Sequence, residues 1–250
     1  MVTVIRYPAL SLALAGLLTA ETPLENTGKP MRVAYECKAA DTQAAGLGCS
    51  EDDPCPVYLE LASVEAVGNK LFLAGNLHTP MVTLYSILLA SDDEGKTWTE
   101  QHPRIHGSGL DQIQFIGAQG WISGANLQGA PRNPFFLMTA DGGKIWREKR
   151  VFDEDRVAAI VSFEFRDSSN GTLGIDARLD GGKSEVYNTS NGGENWVFNP
   201  LPADGFSNRP PPAARLRADA ASHSYVIEKS ENNRWQKVAS FLVNVATCKE

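Results

Sequence analysis

Along most of the chain, apolar and polar residues alternate in short runs, the period of half-buried β-strands. "GLDQIQFIG" (109–117) shows it well, and "GWISGA" (120–125) beside it is a short strand whose glycines allow close backbone approach. "PFFLMTA", the turn "DGGK" and "IWREKRV" complete a set of four strands. The same order recurs downstream as "AAIVSFEFRD", "NGTLGIDAR", "SEVYNTS", "NGGE" and "NWVFNP". It also occurs upstream as "LELASVEAVG", "NKLFLAGNL", "TLYSILLAS", "DEGK" and "TWTEQHPRI". No stretch sustains a helical period, so the pattern predicts an all-β chain.

Each set closes on one phrase: "SDDEGKTW" (91–98), "TADGGKIW" (139–146) and "TSNGGENW" (189–196). The closing Trp98, Trp146 and Trp196 stand 48 and 50 residues apart, and Trp235 in "SENNRWQKV" follows 39 residues later, like a decayed fourth copy. A strand-rich repeat of about 40–50 residues points to propeller blades. The phrase is expected to be the hairpin between a blade's third and fourth strands. Asp93, Asp141 and Asn191 would accept backbone N–H groups in an Asx-type turn. Gly95, Gly143 and Gly193 would supply positive φ, and Ser91, Thr139 and Thr189 a hydroxyl across the turn. The tryptophans would bury their rings between blades, because one blade cannot cover both faces of its own sheet.

The pattern S/T-x-D-x-G-x-T-W resembles the Asp-box, or bacterial neuraminidase repeat. The first copy, with Thr97 before Trp98, fits fully; the second has Ile145 for the threonine, and the third has Asn191 and Asn195 at the aspartate and threonine places. "IQFIGAQGWISG" followed by "TADGGKIW" is also similar to the blades of photosystem II stability/assembly factor-like propellers. The resemblance covers residues 57–200 well and the ends poorly. It implies a fold and leaves function open, since the box occurs in hydrolases and in non-enzymatic binders.

At about 48 residues per blade the chain has room for nearly five. An irregular fourth blade would use "ARLRADA", "HSYVIEKS" and "RWQKVAS", after the proline-rich connection "NPLPADGFSNRPPPAAR". "MRVAYECKA" and "SFLVNVATC" read as strands that would pair in a composite blade and close the ring.

The ends change the picture in two ways. Residues 1–20, with Arg6 ahead of an apolar run and Ala20 before Glu21, have the pattern of a secretory signal peptide. Residues 21–250 would then form a single exported domain, periplasmic or extracellular and monomeric. Four cysteines in such a chain favour two disulfides, with three pairings open. Cys37 with Cys248 would lock the terminal strands and Cys49 with Cys55 would staple "CSEDDPC"; the alternative leaves the ends loose and pairs Cys37 locally.

Charge and chemistry narrow the function. A net charge of −7 excludes a general nucleic-acid binder, which needs a basic face; the apolar run is too short to span a bilayer comfortably, and no membrane insertion is expected once the leader is removed. Sialidases would show three arginines, a tyrosine with a glutamate, and an aspartic acid. Here Arg32 stands alone near the start, and neither "HPRIHG" nor "APRNPF" supplies the family's arginine motif. Tyr35, Tyr58, Tyr85, Tyr187 and Tyr225 sit mostly in strand alternation. His102 and His106 flank Pro103, which opposes a helical metal pair, and "SEDDP" lacks the ligand spacing of a calcium loop. "REKR" (147–150) with Arg209, Arg215 and Arg217 could form a basic patch, or simply charge outer strands. No catalytic, cofactor or metal residues are assigned. The expected function is a binding or assembly scaffold for a protein or glycan; a sialidase-like or other glycoside hydrolase, or a carbohydrate-binding module, is the alternative.

Overall fold

A computed structural model describes residues 22–200 and 211–249. The leader read in residues 1–20, most of the proline-rich connection and Arg209 lie outside the described residues. In chain order the elements are β1 (Leu24–Glu25), α1 (Ala39–Ala44), β2 (Cys55–Val67), β3 (Lys70–His78), β4 (Thr83–Ser91) and β5 (Thr97–Glu100). Next come β6 (Ser108–Ile116), β7 (Gln119–Asn126), β8 (Arg132–Thr139) and β9 (Arg147–Arg150), then β10 (Ala159–Phe165), β11 (Gly171–Asp176), β12 (Ser184–Thr189) and β13 (Val197–Asn199). β14 (Ala214–Asp219), β15 (Ser224–Glu231), β16 (Arg234–Leu242) and β17 (Asn244–Cys248) follow.

These strands form four antiparallel sheets among the described residues, ordered β1-β5-β4-β3-β2-β17, β6-β7-β8-β9, β10-β11-β12-β13 and β14-β15-β16. The repeated four-stranded unit, with neighbours in sequence paired, is consistent with a β-propeller. β2 lies against β6 and β14, and β6 against β10, so the first strands of the sheets face one another.

Each core lies between two sheets, as the doubly apolar strands require. Phe72, Leu88, Leu110, Leu137 and Trp146 fill the gap between the first and second sheets. Trp121, Phe136, Phe163, Leu173 and Tyr187 fill that between the second and third. Leu59, Leu73, Trp98, Ile227 and Phe241 join the first sheet to the last. Each hairpin tryptophan bridges sheets: Trp146 meets Phe72 edge-on at 6.1 Å, Trp196 stacks on Phe136 at 5.7 Å, and Trp98 meets Phe241 edge-on at 5.3 Å.

Side chains also tie inner strands together. Gln114 of β6 donates to Phe165 O at 2.7 Å and accepts from Phe165 N at 2.8 Å, standing in for a strand partner toward β10. Gln112 accepts from Phe163 N, and Ser63 Oγ of β2 accepts from Ile113 N of β6. The inner strands share a second feature, an irregular register at Leu61/Ser63, Leu110/Ile113 and Ile160/Ser162.

The ends differ from expectation. "MRVAYECKA" forms no strand ladder: Met31 makes one parallel bridge to Phe241, and Ala39–Ala44 turn into α1. "SFLVNVATC" divides between the end of β16 and β17, and β17 pairs with the start of β2. The two segments therefore build no composite blade of their own; they extend the edges of the first and last sheets. Two disulfides are present, Cys37–Cys248 across 211 residues and Cys49–Cys55 across 6. Trp235 is no counterpart of the other tryptophans. Its hairpin turns on Asn232 and Asn233, both at positive φ, and joins the second and third strands of its sheet. Its ring is partly exposed under the Arg215 guanidinium at 4.4 Å.

Candidate functional site

The repeated hairpins spend their polar atoms on themselves. Asp93 Oδ1 accepts from Ser91 Oγ (2.8 Å), Lys96 N (3.0 Å) and Thr97 N (2.9 Å), while Oδ2 accepts from Thr97 Oγ1 at 2.7 Å. Ser91 Oγ in turn accepts from Gly95 N at 2.8 Å. In the second hairpin Asp141 accepts from Thr139 Oγ1, Lys144 N and Ile145 N, and Gly143 N donates to Thr139. Ile145 has no hydroxyl to donate, so one bond is missing. In the third, Asn191 Oδ1 accepts from Thr189 Oγ1 and Asn195 N, and Gly193 N donates to Thr189. Trp98 and Trp146 donate Nε1–H to Gly95 O and Gly143 O. Trp196 Nε1 is buried without a partner. The N–H groups gathered on Asp93 hold its carboxyl down at about 2. The Asp93 and Asp141 carboxyls are thus occupied within their own turns.

A pocket of about 240 Å³ opens at the starting ends of the inner strands. β2 contributes Glu60 and Ala62, β3 Asn76, β6 Leu110 and Asp111, β7 Ser123, and β10 Ile160. The register irregularities of β2, β6 and β10 fall at this level, and bulges re-aim side chains. Asn76 Nδ2 donates to Glu60 Oε2 at 2.9 Å, which leaves Asn76 Oδ1 buried with no partner. Ser123 Oγ accepts from Gln112 N. Asp111 stands open at the mouth as a residue, yet burial of its carboxyl is the larger cause that raises its pKa, with the Glu60 charge second. Neither carboxylate has a cationic partner among the described residues.

Sequence reading missed this site. In "LELAS" and "GLDQIQ" the acids occupy the polar beats of ordinary alternation, and only the facing of first strands turns those beats inward. A larger opening of about 810 Å³ lies at the other ends of the same strands, and its rim at Pro211 adjoins residues outside the described set.

The other candidates are paired off. Asp41, nearly buried, accepts from Tyr35 at 3.2 Å and Tyr85 at 2.6 Å; burial, then the Asp41 bond, pushes Tyr85 up to about 12. Tyr187 donates to Glu185 at 2.6 Å and accepts from Arg156, and burial raises its pKa as well. Tyrosines held protonated in this way are poor nucleophiles. His106 packs edge-on to Tyr85, whereas His102 sits against Pro103 O, so the histidines do not converge. Arg147 pairs with Glu194, Arg150 with Asp155, and Arg215 and Arg217 share Glu228, so these four arginines form no common unpaired patch among the described residues. In "SEDDP", Ser50 and Asp53 bond each other and Glu51 pairs with Lys249. No group of three or more metal-binding side chains occurs, and no helix is long and apolar enough to cross a membrane, among the described residues.

Fold and site together define a class: an all-β chain of repeated antiparallel sheets, consistent with a propeller, with an acidic pocket at one end of its inner strands. No family model and no curated protein matches the chain. Among solved structures it is similar to one described as YCF48 bound to D1 peptide, with a TM-score of 0.42 and 17% identity over 74% of this chain. YCF48 from Cyanidioschyzon merolae gives 0.39 and 16% over 73%. The GH74 xyloglucanase from Xanthomonas campestris gives 0.39 and 14% over 52% of this chain and 18% of its own. The chain spans 56% of the length of each YCF48 chain.

Proposed function

We propose that the chain is an exported β-propeller with Asp-box hairpins that serves as a binding scaffold for a protein or glycan partner. Its sheets act as blades, residues 1–20 as the export signal, and the periplasm or extracellular space as its place of work. Two disulfides support an oxidising destination. The observation that carries the scaffold reading is the division of polar groups. The repeated residues are consumed in their own turns, and among the described residues the pocket wall is made of acceptors and alkyl groups, with no histidine, cysteine, lysine or tyrosine in it. At about 240 Å³ it is also smaller than the roughly 300–1,000 Å³ of pockets that enclose whole small molecules. It suits one protruding group of a larger partner. Arrayed peptides and glycans probed with the oxidised protein test this. Saturable binding that is lost on reduction and unfolding is expected, and its absence on both arrays refutes the scaffold.

One observation favours glycoside hydrolysis as a second reading. Asp111, held above the usual aspartate range beside Glu60, is the pairing of a general acid with a second carboxylate. Under that reading Asp111→Asn and Glu60→Gln each abolish turnover.

A further inference from the structure

The pocket at the starting ends of β2, β6 and β10 contains an imbalance that internal contacts leave unresolved. Its charged groups are two carboxylates, Glu60 and Asp111, with no cation opposite them among the described residues. Its buried amide, Asn76, is only 7% exposed and has spent its donor on Glu60, so Oδ1 is an acceptor in want of a hydrogen. Buried polar atoms in folded proteins are almost always satisfied, and an orphan lining a cavity indicates what the cavity receives. Every unmet polar demand here is for a positively charged hydrogen-bond donor.

The walls fix its shape. Ala62, Leu110, Leu127, Pro131 and Ile160 line the same cavity, and they match an aliphatic stem behind a charged head. A hard divalent ion is a poorer fit, because calcium takes six to eight oxygens and magnesium a near-ideal octahedron. Three side-chain oxygen groups among alkyl walls fall short of both. Anionic groups are repelled by Glu60 and Asp111.

We infer that this pocket binds a lysine side chain presented by a peptide or protein partner, with the ammonium between Glu60, Asp111 and Asn76 Oδ1 and the methylene stem along Leu110 and Ile160. The inference rests on the scaffold reading and deepens it by giving the partner's chemistry. An ammonium brings three donors to this acceptor-rich wall; because Asn76 Oδ1 is covered, contact with it requires the Asn76 amide to turn toward the cavity while the ammonium takes its place on Glu60. Arginine, with its wider planar fork, would require the acceptors to lie in one plane; its weaker binding is one outcome the test reads.

The test uses the full, oxidised chain and Nα-acetyl-lysine methylamide, followed by backbone amide shifts in NMR titration. Saturable shifts are expected at Ala62, Leu110 and Ser123, with none from the Nε-acetylated probe, which keeps the stem and loses the charge. Glu60→Gln and Asp111→Asn retain shape and hydrogen-bonding capacity at exposed positions, and each is expected to weaken binding about tenfold or more. Shifts scattered elsewhere, equal shifts with the acetylated probe, or affinity unchanged in both variants would overturn the assignment. So would tighter binding of the matching arginine probe. Peptide-array binding by the same sample separates the two levels. If lysine-free peptides bind and the probe does not, the scaffold stands and this pocket assignment falls; if neither binds, both fall.

Discussion

At the residue scale, one carboxylate organises a whole turn. Asp93 accepts two backbone N–H groups and two hydroxyls, and the folded protein lowers its pKa from 3.8 to about 2. A depressed carboxylate stabilises the fold above its unfolded value, and that contribution disappears as pH falls through the folded value. The melting-temperature gap between wild type and Asp93→Asn should therefore be full above about pH 5 and shrink toward about pH 2. A gap independent of pH would contradict the assigned bonds. Gly143 shows a steric counterpart. It sits at φ +84°, and a Cβ there would come within 2.5 Å of the Phe72 ring. Gly143→Ala should cost about 2 kcal/mol or more in denaturant unfolding, from backbone strain and overpacking together. These turn residues were legible in the sequence because Asx and glycine chemistry is local. That Ile145 replaces the threonine of the first copy was legible too, whereas the hydroxyl bond it forgoes was seen only in the structure. The pocket acids were not, since nothing local distinguishes Glu60 or Asp111 from any polar residue on an alternating strand.

At the element scale, alternation and turn signals placed the strands of the three repeated sets closely, and β14 to β16 match the irregular fourth set. The ends were misread: "MRVAYECKA" has strand-like composition, but it touches the open edge of β16 only at Met31 and then turns into α1 at Ala39–Ala44. The single bridge at Met31 is what remains of that pairing. Gln114 is the element-scale feature that periodicity could not foresee. It is 6% exposed and satisfies both backbone groups of Phe165, joining β6 to β10 where no strand ladder connects the second and third sheets. Gln114→Ala would leave a buried N–H and C=O unpaired, a cost of about 1–3 kcal/mol for each group left without water. Chemical denaturation should show the loss, and hydrogen exchange should show faster exchange at Phe165 N. Unchanged exchange there would contradict the bridging role.

At the scale of the whole molecule, the chain's first sheet packs against its last through Trp98 and Phe241, and Cys37–Cys248 ties the two ends. A crosslink across 211 residues restricts the unfolded chain strongly, and engineered losses of such bonds typically cost about 2–5 kcal/mol. Cys37→Ser with Cys248→Ser should lower the unfolding midpoint by that order, whereas Cys49→Ser with Cys55→Ser should cost less, because its loop is short. Equal effects would show that the terminal tie does not constrain the ends. Sequence spacing left three cysteine pairings open, and only the meeting of distant ends selects one. The pocket's two carboxylates bear on both proposed readings, cation binding and glycoside hydrolysis. The measurement that separates them most directly is turnover of a fluorogenic glycoside panel, a sialoside included, by the oxidised protein. A binding scaffold yields no hydrolysis above a heat-inactivated control. Turnover that disappears in Asp111→Asn and Glu60→Gln would contradict it and make the pocket an active site.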